Sequence, residues 1–195
     1  MRKSKEEAEN TRRRIVSAAA AEFRERGIVA TGLNDLMLAA GLTHGGFYRH
    51  FDSKEQLVAE ATDKALAELI KRIAEAAGSA GRTRSRARGG LAAAVGEYLS
   101  LQHRDAPRDG CPLAAMGSEL ARASAKTRET ATVGFQKLVE ILASEFRGIK
   151  PDRAKKRALV AAATLVGALT ISRIVVDPIL SKAILHDAAD SITSD

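Results

Sequence analysis

Proline is scarce, with four in 195 residues, aromatic side chains make up only 4% of the chain, and there is a single cysteine. Each shortage excludes something. Few helix breakers alongside abundant Ala, Leu, Glu, Lys and Arg favour an all-α protein, and no stretch alternates apolar and polar residues as a half-buried strand does. One thiol rules out an internal disulfide framework and suits a reducing cytoplasm. The N-terminus, MRKSKEEAEN, has no apolar signal-peptide core. The most apolar run, residues 158–172 between Arg157 and Arg173, is shorter than the roughly 20 residues of a membrane span and reads as a buried helix. Catalytic signatures are missing as well. There is no G-x-S-x-G, no P-loop and no G-x-G-x-x-G, and the HGG at 44–46 follows no strand. His44 and His50 share no helix face, and His103 and Cys111 are not at zinc spacing. The expectation is a non-enzyme with no metal, no cofactor and no membrane span.

What the chain has in quantity is charge, 28% of residues, with a net value of +7. An excess of cations suggests an anionic partner, but its distribution does not single out one region. Residues 1–55 hold ten Lys or Arg against eight Asp or Glu, and much of the excess lies in GRTRSRARGG and in RGIKPDRAKKR.

Apolar spacing predicts the elements. Ser4 and Glu7 have capping-box spacing, Ile15, Ala18, Ala19 and Phe23 form one stripe, and Gly27 stops the first helix. Leu33, Leu36, Met37 and Ala40 mark a short second helix, with Thr31 or Gly32 at its start and Gly41 at its end. A third covers about 44–50 after Thr43, with Leu42, Phe47 and Phe51 facing inward. SKEQ at 53–56 is another capping box and opens a long fourth helix to about Ala77. The stretch GSAGRTRSRARGG reads as a loop between two units. Helices near 91–104, 112–121, 125–147 and 152–176 follow, and a terminal one comes after Asp177-Pro178.

The third helix contains an anomaly. Gly45 and Gly46 stand together in its first turn, where each costs about 0.5–1 kcal/mol relative to Ala. Two short helices joined by a Gly-containing turn make a helix-turn-helix, whose second helix enters the major groove of DNA. Missing side chains there let the backbone approach base edges and phosphates. The outward face then presents Thr43, His44, Gly45, Tyr48 and Arg49. Arg49 has the fork that matches guanine O6 and N7, Thr43 can bond a base or touch a thymine methyl, and Tyr48, His50 and Lys54 suit phosphates.

Residues 31–61, TGLNDLMLAAGLTHGGFYRHFDSKEQLVAEA, resemble the DNA-binding head of the TetR family of bacterial transcriptional regulators. The family's G-[FLY]-Y-x-H-F-x-S-K-E-x-L core is matched by Gly46, Phe47, Tyr48, His50, Phe51, Ser53, Lys54, Glu55 and Leu57. The resemblance covers about residues 10–60. It implies nine or ten helices, a homodimer on a double-stranded, pseudo-palindromic DNA operator, and a helical body that often binds a small effector. The family's phosphate-contacting Tyr and Lys correspond to Tyr48 and Lys54. Family members commonly carry longer side chains at Gly45 and Gly46, which shifts base reading toward His44 and Arg49. The expected division is a helix-turn-helix head at 1–55, with Thr31, Thr43, His44, Gly45, Gly46, Tyr48, Arg49, His50 and Lys54 facing DNA, and an effector-binding and dimerisation body at 56–195.

Within that body, Leu69, Tyr98, Leu99, Gln102, His103, Met116, Phe135 and Leu138 are candidates to line the effector pocket, though each fits a core role as well. Cys111 opens a helix near Arg104 and Arg108. A thiol facing a helix start has a lowered pKa, and some family members sense electrophiles or oxidants with a Cys in this region; the alternative is a small buried hydrophobe. In the helix at 152–176 the run Leu159 to Ile171 is apolar on nearly all sides and needs cover on more than one face. Leu159, Ala162, Leu165, Val166 and Leu169 are therefore expected at a dimer interface, with Arg173 at its rim.

Overall fold

A computed structural model describes residues 5–80 and 89–194 of the chain. Ser4 and the basic stretch 81–88 lie outside the described residues. Those described contain nine α-helices and two 3-10 helices: α1 Lys5–Arg26, α2 Leu33–Ala39, a 3-10 helix His44–Arg49, α3 Lys54–Ala80, α4 Gly89–Tyr98, α5 Leu101–Asp105, a short 3-10 turn Pro107–Asp109, α6 Pro112–Leu120, α7 Ala125–Glu145, α8 Pro151–Ile174 and α9 Pro178–Thr193. The all-α expectation holds. Gly27 and Gly41 stop α1 and α2 at φ +87° and +68°, a conformation that β-carbons disfavour. The SKEQ box at 53–56 forms in a shifted version: Gln56 N donates to Ser53 Oγ at 3.1 Å, while Gln56 Oε1 accepts from Asp52 N, one residue before the cap, at 2.8 Å.

Two packed cores follow the chain. The first joins Ile15, Phe23, Leu36, Met37, Phe47 and Phe51 to Leu57, Val58, Ala61 and Ala65 of α3 and to Met116 and Leu120 of α6. It runs past residue 55, because α3 serves both units. The second fills the body from Leu69 to Ile192. Leu113 packs against both.

The helix α8 is long and apolar enough, by length and composition, to cross a membrane, a longer span than the apolar run alone suggested. It is a helix with two different faces. Ala158, Ala162, Leu165, Leu169 and Ser172 are buried inward, and α8 packs on α7 and α9. Ala162, Leu165 and Leu169, expected at a subunit interface, are thus core residues of their own chain; the i, i+3/i+4 period places them on one stripe and leaves Val160, Gly167, Ile171 and Ile174 on the opposite one. Leu159 is exposed and Val166 half-buried. Arg173 also turns inward, donating to the carbonyls of His103 at 2.6 Å and Arg104 at 3.0 Å.

That arginine belongs to a buried polar cluster around the start of α6. His103 Nδ1 donates to Tyr98 O at 2.7 Å, and its Nε2 accepts from Cys111 N at 2.8 Å. Both ring nitrogens are therefore used by the neutral imidazole. A second proton would break the Cys111 bond and place a charge in the core near Arg173, Arg72 and Arg24. Burial first, then those cations, hold the His103 pKa down at about 4. An unfolded His titrates near 6.5. The folded protein binds fewer protons, so this contribution is complete above pH 6.5 and lost as pH falls toward 4, on the order of 3 kcal/mol in all. Unfolding free energies from urea melts of wild type and His103→Gln, followed from pH 7 to 4, should converge by that amount; parallel curves would contradict the assignment.

Candidate nucleic-acid interface

The segment 44–49 is a 3-10 helix where an α-helix was expected. Six residues with two adjacent glycines close few i→i+4 bonds, and tighter winding leaves fewer orphaned groups at each end. Gly46 N bonds Thr43 O at 3.2 Å and His50 N bonds Phe47 O at 2.9 Å. Thr43 occupies the N-cap position, but its side chain makes no cap bond.

The segment is held from within. Phe47 and Phe51 are fully buried and stacked 5.5 Å apart, an arrangement that contributes about 0.5–1.5 kcal/mol beyond area burial. Two arginines of α1 grip its flanks. Arg14 Nη2 donates to Ala40 O, just before the turn, at 2.7 Å. Arg12 lies 4.5 Å over the Phe51 ring, donates to His50 O at 3.3 Å and forms a bidentate pair with Glu60 of α3.

With the inner face committed, the outer face is open. Thr43, Gly45 and Arg49 are exposed, and Tyr48 is 68% exposed while its ring stands edge-on to Phe47. A Cβ built on Gly45 meets nothing within 4 Å, and one on Gly46 meets only Met37 Cε at 3.5 Å. The fold itself does not need either glycine. His44 is in the helix, but its side chain lies outside the described ones; His50 is half-buried at the helix end.

Two expected DNA contacts turn inward. Thr31 is fully buried and its Oγ1 donates to Gly27 O at 2.6 Å. Lys54 Nζ donates to Ile28 O and Thr31 O, both at 2.6 Å, so its ammonium holds the α1–α2 loop instead of a phosphate. Burial lowers the Lys54 pKa and the Glu119 carboxylate partly offsets that. Glu119 of α6 completes the clamp by accepting from Ile28 N at 2.9 Å and Val29 N at 2.8 Å. One cation takes the loop's carbonyls and one anion takes its amides. Sequence reasoning missed Glu119, because nothing local marks a carboxylate 90 residues away as the partner of that loop.

Further links join head and body. Arg24 Nη1 donates to Gly110 O at 3.1 Å, and Arg108 pairs with Glu22 and Glu25. The body's expected pocket residues are mostly packed. Leu69, Tyr98, Leu99, His103 and Leu138 are buried, Phe135 is half-buried and Gln102 is exposed. Met116 points away from the body into the first core, at a kink in α6 with φ −137°. The Tyr98 hydroxyl is buried facing the Cys111 thiol, with no nitrogen or oxygen partner. Cys111 does stand at the start of α6, but it is fully buried, and burial pushes its thiol pKa up despite the nearby Tyr98 hydroxyl and Arg173. This is the opposite of an activated thiol. Among the described residues no group of three His, Cys, Asp or Glu is placed to hold a metal ion.

Comparisons with known proteins agree with this geometry. The family model for bacterial regulatory proteins of the tetR family matches residues 15–61, and that for the C-terminal domain of LmrA/YxaF-like transcriptional regulators matches 89–179. An HTH-type transcriptional regulator of Mycobacterium tuberculosis is 31% identical over 171 residues, 84% of either chain. The regulator LmrA of Bacillus subtilis is 25% identical over 84% of this chain and 86% of its own. The fold is similar to that of reduced NemR from E. coli, with a TM-score of 0.79 at 20% identity, covering 95% of this chain and 96% of that one. A TetR transcriptional regulator from Chloroflexus aurantiacus gives 0.77 at 25% identity, with 97% and 95% covered.

Removing either half of the loop clamp should destabilise the head. Lys54→Met and Glu119→Ala each leave two backbone groups without their partner, at about 1–3 kcal/mol, or roughly 2–10 °C in melting temperature for a chain of this size. Differential scanning calorimetry measures it, and unchanged melting in both variants would show the clamp to be dispensable.

Proposed function

The chain belongs to the TetR family of bacterial transcriptional regulators, and from that premise we propose that it is a ligand-responsive repressor, released from a pseudo-palindromic operator by a small molecule. Regulators of this family bind operator DNA and typically function as dimers, and they are not enzymes. One observation carries the reading: a helix whose buried side is fully committed to the core presents Thr43, Tyr48 and Arg49 outward beside an unobstructed Gly45. Arg49 reads a base edge, Tyr48 and His50 meet phosphates, and Thr43, His44, Gly45 and Gly46 form the surface pressed into the groove.

The effector belongs in the body, where an apolar interior with few polar groups is the usual form of such a site. The Tyr98 hydroxyl, buried beside His103 and the Cys111 thiol, is the polar group best placed to meet it. Release through modification of Cys111 requires the thiol to be exposed first, so the small-molecule route is the stronger reading. Glu119 and Arg24 connect that interior to α1 and the α1–α2 loop. A shift of α6 would therefore move the helix-turn-helix directly.

The dimer forms through the outer faces of α8 and α9. Val160, Ile171, Ile174, Val176, Ile179 and Leu180 are exposed there, and an apolar strip of this kind marks an interaction site. A twofold pairing presents the same strip on both subunits and spaces two heads for two half-sites. The protein acts in the cytoplasm, beside its DNA.

Selection from a randomised duplex pool, followed by footprinting, tests the reading. It should yield two inverted half-sites about one helical turn or a multiple apart. On the selected site Arg49→Ala should cost about 1–3 kcal/mol and relax the preference at one position. Gly45→Leu should keep wild-type melting yet lose specific binding, since its Cβ has room in the protein but not against DNA. Enrichment of no sequence, or full binding by both variants, refutes the proposal. Gly167→Arg, which places a charge in the middle of the outer α8 stripe, should give monomer or aggregate in equilibrium sedimentation; a soluble dimer at low micromolar concentration would put the interface elsewhere.

A further inference from the structure

A recess of about 850 Å³ lies where α1 passes the end of α2, beside the turn into the recognition helix. Asn10, Arg13, Arg14 and Ser17 of α1 form one wall, and the small residues 39–41 form the other. No lining residue is acidic. Arg13 and Arg14 are both exposed. Their hydrogen bonds go to neutral oxygens, Arg13 Nη2 to Asn10 Oδ1 at 2.5 Å and Arg14 Nη2 to Ala40 O at 2.7 Å. This differs from Arg12, one residue away, whose charge is taken by Glu60. The carboxylates of α1's N-terminal half, Glu6, Glu7 and Glu9, lie nearer its start. Glu9 and Arg13 share a second, mixed-charge cleft on the other side.

We propose that this recess is a phosphate site of the DNA interface, in which Arg13 and Arg14 each bind one of the backbone phosphates flanking the groove that the recognition helix enters. It rests on the reading of the protein as a DNA-binding regulator and extends its footprint from the helix-turn-helix to α1. Position supports it, because Arg14 is bonded to the carbonyl three residues before Thr43, at the entrance of the outward face. Charge supports it as well. The head's net charge of +2 over residues 1–55 is small, ten cations against eight anions, and Lys54 is engaged inside. Local concentration of cations must therefore supply what the total does not. Guanidinium forks suit phosphate oxygens, and Ala39, Ala40 and Gly41 leave the space for them. Such a contact positions the protein without reading sequence.

The test is the salt dependence of binding to a fluorescein-labelled 30-base-pair duplex of random sequence, measured by anisotropy from 50 to 300 mM KCl. Each displaced phosphate contact removes about 0.9 from the slope of log affinity against log salt. Arg13→Gln and Arg14→Gln should each lower the slope by about that much and weaken binding several-fold at low salt. Arg14→Lys should keep the slope, and Arg153→Gln, on the exposed start of α8, should leave it at the wild-type value. Arg14→Gln also loses its bond to α2, so Arg13→Gln, whose side-chain hydrogen bond goes to Asn10 on the same helix, keeps the test valid if the former unfolds. Wild-type slopes in folded Arg13→Gln overturn the site while leaving the DNA reading intact. A wild-type protein that binds no duplex overturns both. Inorganic phosphate at 10 mM and constant ionic strength should leave the melting temperature unchanged; a rise that disappears in Arg13→Gln would mean that the recess takes free phosphate instead of DNA.

Discussion

The recognition helix cannot hold itself in place. It has six residues, two of them glycine, and it is wound as a 3-10 helix. Its position depends on the burial of Phe47 and Phe51 against the first core. Everything functional in the head follows from that anchoring. Since the aromatic side chains take the inner face, Thr43, Tyr48 and Arg49 are left outside, and the glycines are free to be selected for what lies beyond the protein surface. The arginines of α1 add direction to the anchor, because Arg14 holds the carbonyl before the turn and Arg12 the carbonyl after the helix. A short, intrinsically weak element is made rigid by tertiary contacts alone, as expected where propensity contributes little.

The same logic applies one layer out. The α1–α2 loop has no secondary structure of its own, and its backbone groups are satisfied by Lys54 from α3 and Glu119 from α6. A buried or half-buried loop needs such partners. Here they come from the long helix that crosses between head and body and from a kinked helix whose Met116 and Leu120 lie in the head's core. Head and body are therefore not separable units joined by a linker. The polar cluster at the base of α6, with His103 neutral between Tyr98 and Cys111 and Arg24 reaching in from α1, lies at the start of the same connection. A body that reports to a DNA head needs a continuous physical link of this kind.

Much of this was legible from the amino-acid order. Composition determined the all-α class, periodicity located most helices to within a few residues, though the single helix expected near 91–104 is two, α4 and α5, broken where Ser100 caps the second, and Gly27 and Gly41 marked the stops of α1 and α2. Phe47 and Phe51, one turn apart, identified the inner face of the recognition helix, which in turn placed Tyr48 and Arg49 outside. These are local properties, carried by residues within one or two turns of each other. Tertiary structure decided whatever depended on a distant partner. Lys54 reads as a phosphate ligand until the carbonyls of Ile28 and Thr31 are seen around its ammonium. Cys111 reads as a helix-start thiol, yet the surrounding core raises its pKa where the helix alone would lower it. From Ala158 to Ile171 α8 is largely apolar all round, so the amino-acid order does not say which face turns inward; the packing of α7 and α9 assigned Leu165 and Leu169 to the interior and Val160, Ile171 and Ile174 to the outside. Glu119 carries no local signal at all, because its role exists only once the chain has brought α6 against a loop 90 residues earlier.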